Sequence, residues 1–178
     1  MKLHIGCGKR DFGPDWTHID GGEYPHVESN DIWLNEIYDR NVDVIYASHL
    51  LEYFDREDAV SLLDQWYRVL KSNGILRLAV PDFHGLVYAY NKLGYSVESL
   101  IGPLYGKMQM NDETIYHKTV YDFESLAYLL KNVGFRIITR WNWRETEHAD
   151  IDDHSQAYLP HMQKDTGHLI SLNVEAVK

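Results

Sequence analysis

The first chemistry in this chain is a pair of glycines and an acid. Gly6-Cys7-Gly8 follows Leu3-His4-Ile5, and Asp20 stands 20 − 8 = 12 positions after Gly8. Glycines at a strand end let a ligand approach the backbone with no Cβ in the way. A dinucleotide fingerprint would need a third glycine where Asp11 stands, then a full helix and an acid about 20 residues on. The stretch 9–19 contains Gly13 and Pro14 and is too short for a helix and a return strand. No Gly-Lys-Ser/Thr follows, so the phosphate loop is absent too. What remains suits a nucleoside without phosphates, its ribose hydroxyls donating to the Asp20 carboxylate in charge-assisted hydrogen bonds. The other reading of Asp20 is a turn residue before Gly21-Gly22.

A second cluster is the acidic, histidine-bearing run 145–154, with His148, Asp150, Asp152, Asp153 and His154. Hard cations need several oxygens in a shaped loop, and the Asp-x-Asp-x-Asp-Gly spacing of a calcium loop is missing. The single cysteine, Cys7, excludes a cysteine zinc cluster and an internal disulfide. No metal is expected, and the run reads as a solvated loop or one that hydrogen-bonds a polyhydroxyl acceptor.

The elements that must position these residues follow from the apolar patterning. With 178 residues, 44% of them hydrophobic, the chain is long enough for one domain with its own core, taken as 1–178. A net charge of −10 argues against nucleic-acid backbone as the main partner, since phosphate binding needs a basic face, and no nucleic-acid partner is expected. The opening residues 1–6 are too short and polar for a secretory signal, and no apolar run nears the roughly 20 residues of a membrane span, so a cytoplasmic protein with no membrane partner is expected. Apolar runs at 3–5, 16–20, 42–48 and 75–80 read as strands buried on both faces of a parallel sheet. Between the last two, Ala59, Leu62, Leu63, Trp66, Val69 and Leu70 form one helical stripe, capped by Asp55 and stopped at Asn73-Gly74. A second helix is expected from a cap at Asp122 to Val133, then a strand at 136–141. Ile170, Leu172, Val174 and Ala176 alternate with polar residues, the mark of a half-covered, antiparallel last strand. This is an α/β, doubly wound, mostly parallel sheet, whose ligands sit at the carboxyl ends of the strands. The segments on that rim are 6–15, 20–29, 48–54, 82–121 and 142–168, and the last two are long enough to carry function.

Four pieces together resemble a known family. They are Leu3-His4-Ile5-Gly6-Cys7-Gly8, Trp16-Thr17-His18-Ile19-Asp20, the run from Val42 through Ser48-His49-Leu50-Leu51-Glu52, and Arg68-Val69-Leu70-Lys71 with Gly74 and Val80-Pro81-Asp82. In this order and spacing, over residues 1–83, they resemble class I S-adenosylmethionine-dependent methyltransferases, closest to small predicted members associated with polysaccharide biosynthesis. The resemblance implies a Rossmann-like methyltransferase fold lacking its N-terminal cover helices. It implies that Gly6, Cys7, Gly8 and Gly21 line S-adenosylmethionine, that Asp20 holds the ribose, and that Asp31 and Ile32 flank the adenine. Ser48 and His49 would meet the amino-acid end. Glu52 reads as a local cap or pair.

The same resemblance implies methyl transfer to a small acceptor, with a saccharide hydroxyl as the acceptor class; the alternative is a cofactor-binding module without turnover. A hydroxyl acceptor also needs a base near neutral pKa, for which histidine is the natural side chain. His49 sits beside the expected methyl position, as base or as a ring packed on the cofactor. His117 is a second base candidate, and Asp82 an orienting acid or a helix cap. His84, Asp153 and His154 are the candidate acceptor contacts. Tyr88, Tyr90, Tyr105 and Trp143 have the chemistry to stack on a ring, with core packing as the other reading. The missing cover falls to the segments 82–121 and 142–168, or to a second subunit in a homodimer.

Overall fold

In the computed structural model, which describes residues 1–110 and 112–178, β1 (Lys2–Ile5) returns without a helix to β2 (Trp16–Ile19), and β3 (Val27–Ser29) forms the edge. β4 (Val42–Ser48), helix α1 (Arg56–Val69) and β5 (Leu70–Pro81) come next. Beyond β5 lie α2 (Phe83–Leu93), α3 (Val97–Tyr105) and a hairpin of β6 (Met108–Met110) with β7 (Glu113–Ile115). Helix α4 (Phe123–Val133) leads to β8 (Arg136–Arg140). The small pair β9 (Tyr158–Leu159) and β10 (His168–Leu169) precedes β11 (Ser171–Val177). The main sheet runs β3-β2-β1-β4-β5-β11-β8, with β11 antiparallel to both neighbours. Its order reverses between β1 and β4, which opens a crevice at their carboxyl ends. Among the described residues, no helix is long and apolar enough to cross a membrane.

Helix α1 starts as its sequence dictates: the Asp55 carboxylate accepts from the Glu57 and Asp58 N–H groups. Its stripe of Ala59, Leu62, Leu63, Trp66 and Val69 is buried against Leu3, Ile5, Ile45 and Ala47 and against Leu126 and Leu130 of α4. Each large apolar side chain so buried contributes roughly 1.5–3 kcal/mol. The helix ends at Val69, before the expected stop. Leu70 is already extended, and Asn73, at φ 62°, makes the irregularity through which β5 joins β4. Asp122 caps α4 by accepting from the Ser125 N–H at 2.8 Å, as expected.

The opposite face of the sheet is covered differently. His4, Trp16, His18 and Tyr46 are buried there with no helix above them, because the β1–β2 connection is too short to form one. Phe12 folds back instead and stacks between His4 (3.8 Å between ring centres) and His148 (4.3 Å). Its N–H donates to His18 Nε2 at 2.8 Å. The segment 142–168 completes the cover. The Asp153 carboxylate accepts from the Tyr46 hydroxyl and, on its other oxygen, from Ser155 N–H (2.9 Å) and Oγ–H (2.5 Å). Asn173 Nδ2 of β11 donates to the Ser155 carbonyl at 2.9 Å.

Two expectations are corrected here. The run 145–154 is solvated only in part: Glu145, Glu147, Asp150, Asp152 and His154 are exposed, whereas His148 and Asp153 are buried in the sheet face. The last strand is not half-covered either: Ser171 and Asn173 are as buried as Leu172 and Val174, because 142–168 lies across them. The physical reason is the same in both cases. A sheet face stripped of its helix must still be removed from water, and its histidines and tyrosine need polar partners inside the cover.

Asp153→Ala is expected to cost about 2–3 kcal/mol in urea denaturation, by leaving the Tyr46 hydroxyl and Ser155 buried without a partner. His84→Ala, on the exposed side of α2, is expected to change stability by less than about 0.5 kcal/mol. A loss at Asp153 as small as that at His84 would contradict this account of the cover.

Candidate active site

At the end of β1 the chain turns through Gly6 (φ 70°) and Gly8 (φ 54°), conformations that glycine adopts without strain. The Gly6 N–H donates to the Ile19 carbonyl at 2.8 Å and ties the turn to β2. Asp20, the next residue, accepts from the Gly8 N–H on Oδ2 and from the Gly22 N–H on Oδ1, both at 2.7 Å. The carboxylate is thereby fixed beside the glycine turn, and each oxygen retains a further lone pair. Met110 of the hairpin rests over Gly21, where an added Cβ would lie 3.6 Å from its methyl carbon. The 82–121 segment thus contributes cover at this end.

Three expected cofactor residues are engaged in the fold itself. Cys7 turns inward, with Sγ 3.7 Å from His26 Nε2, and burial pushes its thiol up to about 12; only its backbone is left to border the crevice. The Asp31 carboxylate accepts from the Asn35 N–H (2.6 Å) and Nδ2–H (3.0 Å), closing the turn after β3. Ile32 packs against the core, and its carbonyl accepts from Trp66 Nε1 at 2.8 Å.

The ends of β4 and β11 gather a second group. Ser48 is buried at the end of β4, and His49 follows in the left-handed region at φ 52°, a strained position for a residue with a Cβ. Its Nε2 lies 3.1 Å from Ser171 Oγ and its Nδ1 3.4 Å from Glu52 Oε1. Burial, then the neighbouring His154 and His117, hold its imidazole well below the ordinary value. His117 approaches the same Glu52 oxygen with Nε2 at 3.8 Å, and its Nδ1 bonds the Leu104 carbonyl at 3.2 Å. Gly106 makes room for that ring, since a Cβ there would come within 2.4 Å of Nε2. His117 also forms one wall of an apolar groove of about 850 Å³, shared with Phe83, Tyr105, Tyr121 and Tyr128.

The remaining candidates are dispersed. Asp82 lies at the start of α2 without capping it through its side chain, and Oδ2 is 3.8 Å from Arg140. His84 is exposed on α2, and Asp153 is bound up in the sheet cover. His154 is near His49, at 5.2 Å between ring centres. Trp143 is buried, whereas Tyr88, Tyr90 and Tyr105 are exposed. Among the described residues, no group of three or more His, Cys, Asp and Glu side chains is placed to hold a metal ion. Glu52, read from the sequence as a local cap or pair, is buried and lies 3.4 Å from His49 Nδ1. Its one signal was an acid three positions after the histidine that ends a strand.

A family model described as a methyltransferase domain matches residues 25–78, from before β3 to most of β5. The fold as a whole recurs in solved structures. One is a SAM-dependent methyltransferase from Archaeoglobus fulgidus, with TM-score 0.60, 17% identity, and 99% of this chain and 85% of that one covered. The fold is that of the class I methyltransferases. A SAM-dependent methyltransferase from Methanosarcina mazei superposes with TM-score 0.57 at 15% identity, covering 99% of this chain and 91% of that one. The Burkholderia thailandensis 1,6-didemethyltoxoflavin-N1-methyltransferase, solved with 1,6-didemethyltoxoflavin and S-adenosylhomocysteine, gives 0.56 at 14% identity, over 99% and 70%. No curated protein is similar enough in sequence to match the chain.

Burial pushes the Glu52 carboxyl up to about 8 from an ordinary 4.5. The folded state therefore keeps a proton that the unfolded chain loses above about 4.5, so stability falls as pH rises from there to about 8 and then levels off. Glu52→Gln is expected to remove that fall, worth on the order of a few kcal/mol, in denaturation curves at pH 5 and pH 9. An identical pH dependence in both proteins would show that Glu52 is ionised in the fold.

Proposed function

We propose that this methyltransferase fold binds S-adenosylmethionine in the crevice over β1 and transfers its methyl group to a small acceptor, in the first instance a saccharide hydroxyl. The observation that carries the reading is the Asp20 carboxylate held against Gly8 by backbone N–H groups. It is fixed in place before any ligand arrives, with lone pairs left for two ribose hydroxyls, and no helix lies between β1 and β2 to receive a diphosphate. The glycine turn is open, since a Cβ on Gly8 would meet only the tip of the Arg10 side chain at 3.8 Å. The residues present therefore fit a phosphate-free adenosine. In this reading Gly6, the Cys7 backbone, Gly8 and Gly21 line the cofactor, Asp31 and Ile32 border the adenine end, and Ser48 and His49 border the sulfonium end.

When bound, S-adenosylmethionine supplies a methyl group on an already activated leaving group. The chain's own task is then to place the acceptor in line, an effect worth roughly 7–11 kcal/mol, and to receive its proton. His49 is the imidazole closest to that task, and His154, Arg10 and Ser171 beside it supply hydrogen-bonding groups for a polyhydroxyl acceptor. The groove beside His117 offers aromatic walls for the apolar face of a sugar ring.

Asp20→Ala is expected to weaken S-adenosylhomocysteine binding at least about tenfold, near 1.4 kcal/mol, in titration calorimetry. Unchanged affinity would remove Asp20 from the site and the reading with it. Transfer of labelled methyl to a glycan panel checks the acceptor class. Tight binding with no turnover across the panel would favour a cofactor-binding module.

A further inference from the structure

Glu52 is a buried carboxyl with no Lys or Arg paired to it among the described residues. It is 1% exposed, and neither oxygen has a hydrogen-bond partner among the described residues, yet Oε1 faces His49 Nδ1 at 3.4 Å and His117 Nε2 at 3.8 Å. The protons on the two rings follow from what their other nitrogens touch. The Leu104 carbonyl only accepts, so His117 carries its proton on Nδ1 and turns a lone pair toward Glu52. For His49 the chain of partners is longer. Asn173 Nδ2 donates to the Ser155 carbonyl at 2.9 Å, which orients the amide and leaves Asn173 Oδ1 to accept from the Ser171 hydroxyl at 3.0 Å. Ser171 Oγ then has only lone pairs for His49 Nε2, which must donate, so His49 Nδ1 turns a lone pair to Glu52 as well. A carboxylate facing two lone pairs is repelled by both, whereas a neutral acid donates its proton between them. Burial acts in the same direction on all three groups, raising the carboxyl and lowering both imidazoles. The other titratable or charged groups facing them are Tyr53 and Tyr121 beside Glu52, and His154 and Arg10 beside His49.

We propose that His49 and Glu52 form a proton-holding pair for the acceptor, with Glu52 the positioning residue that decides which nitrogen of His49 bears the proton. The proposal rests on the methyl-transfer reading above. At rest the pair holds two protons, one on Glu52 and one on His49 Nε2. Loss of one proton to bulk water leaves Glu52 a carboxylate with the remaining proton on His49 Nδ1, and Nε2 then presents a lone pair in place of its bond to Ser171. As the acceptor oxygen bonds the methyl carbon, the electron pair of the broken S–C bond stays on sulfur and the acceptor proton passes to His49 Nε2. The Nδ1 proton moves to Glu52, which restores the resting pair. One proton enters and one leaves for each methyl group transferred. The acid of a hydrolase triad likewise sets tautomer and orientation but stays ionised, whereas Glu52, which begins neutral, takes the proton back.

The test is ¹⁵N-resolved NMR of the histidines in the wild-type chain and in Glu52→Gln, from pH 6 to pH 9. Wild type is expected to show His49 as the Nε2–H tautomer at pH 6, switching to Nδ1–H as pH passes about 8. The Gln amide donates and does not ionise, so E52Q is expected to hold the Nε2–H tautomer throughout. It should bind S-adenosylhomocysteine within about twofold of wild type, and lose hydroxyl methylation about a hundredfold or more, together with its pH dependence. An Nδ1–H tautomer in wild type at pH 6, or the same switch in E52Q, would overturn the proposal. Failure of wild type to bind S-adenosylhomocysteine would instead sink the methyl-transfer reading and the acceptor step built on it, while the tautomer switch reports on the pair alone.

Discussion

The structure turns on a short connection. Ten residues join β1 to β2 with no helix between them, and two consequences follow. The end of β2 falls beside the glycine turn, which brings Asp20 within hydrogen-bond distance of the Gly8 N–H. One face of β1 and β4 is also left without the helix that would normally bury it.

The second consequence organises the rest of the chain. His4, His18 and Tyr46 are polar residues under a cover that must both exclude water and supply partners. Phe12 and His148 stack there, Asp153 takes the Tyr46 hydroxyl, and Asn173 reaches the Ser155 carbonyl. The same segment carries His154 to within 5.2 Å of His49, and its Ser155 carbonyl holds the Asn173 amide whose oxygen accepts from Ser171 beside His49. The cover of the sheet and the chemistry at its rim are one hydrogen-bonded system. Its tie to the glycine turn is the Arg10 Nε–H donated to the Asp152 carbonyl at 3.1 Å.

Much of the scaffold was legible in the sequence because its signals are local. The α1 stripe with its Asp55 cap, the Asp122 cap of α4, and continuous apolar runs for β1, β4 and β5 each depend on residues a few positions apart. The errors came where a partner was distant. The end of α1 moved because β5 captures Leu70 and the following residues for pairing with β4. β3 is three residues long and gains its identity only from lying beside β2. The α3 helix and the β6–β7 hairpin lie in a stretch that had shown only as a long rim segment.

For the site, sequence alone determined the glycine turn, the acid at the end of the next strand and the histidine at the end of β4, because strand ends in a parallel sheet point to one rim. Tertiary structure alone decided which side chains were free to act there. Asp153 looks like an available carboxylate on paper, but folding buries it and hands it donors from the protein itself. Glu52 lies beside its local neighbour His49 and also faces His117, two rings 68 positions apart in the chain (117 − 49), with no hydrogen-bond partner for its carboxyl among the described residues. Spacing fixes which rim a residue reaches; desolvation and hydrogen-bond partners, which belong to the folded molecule, fix its charge and its role.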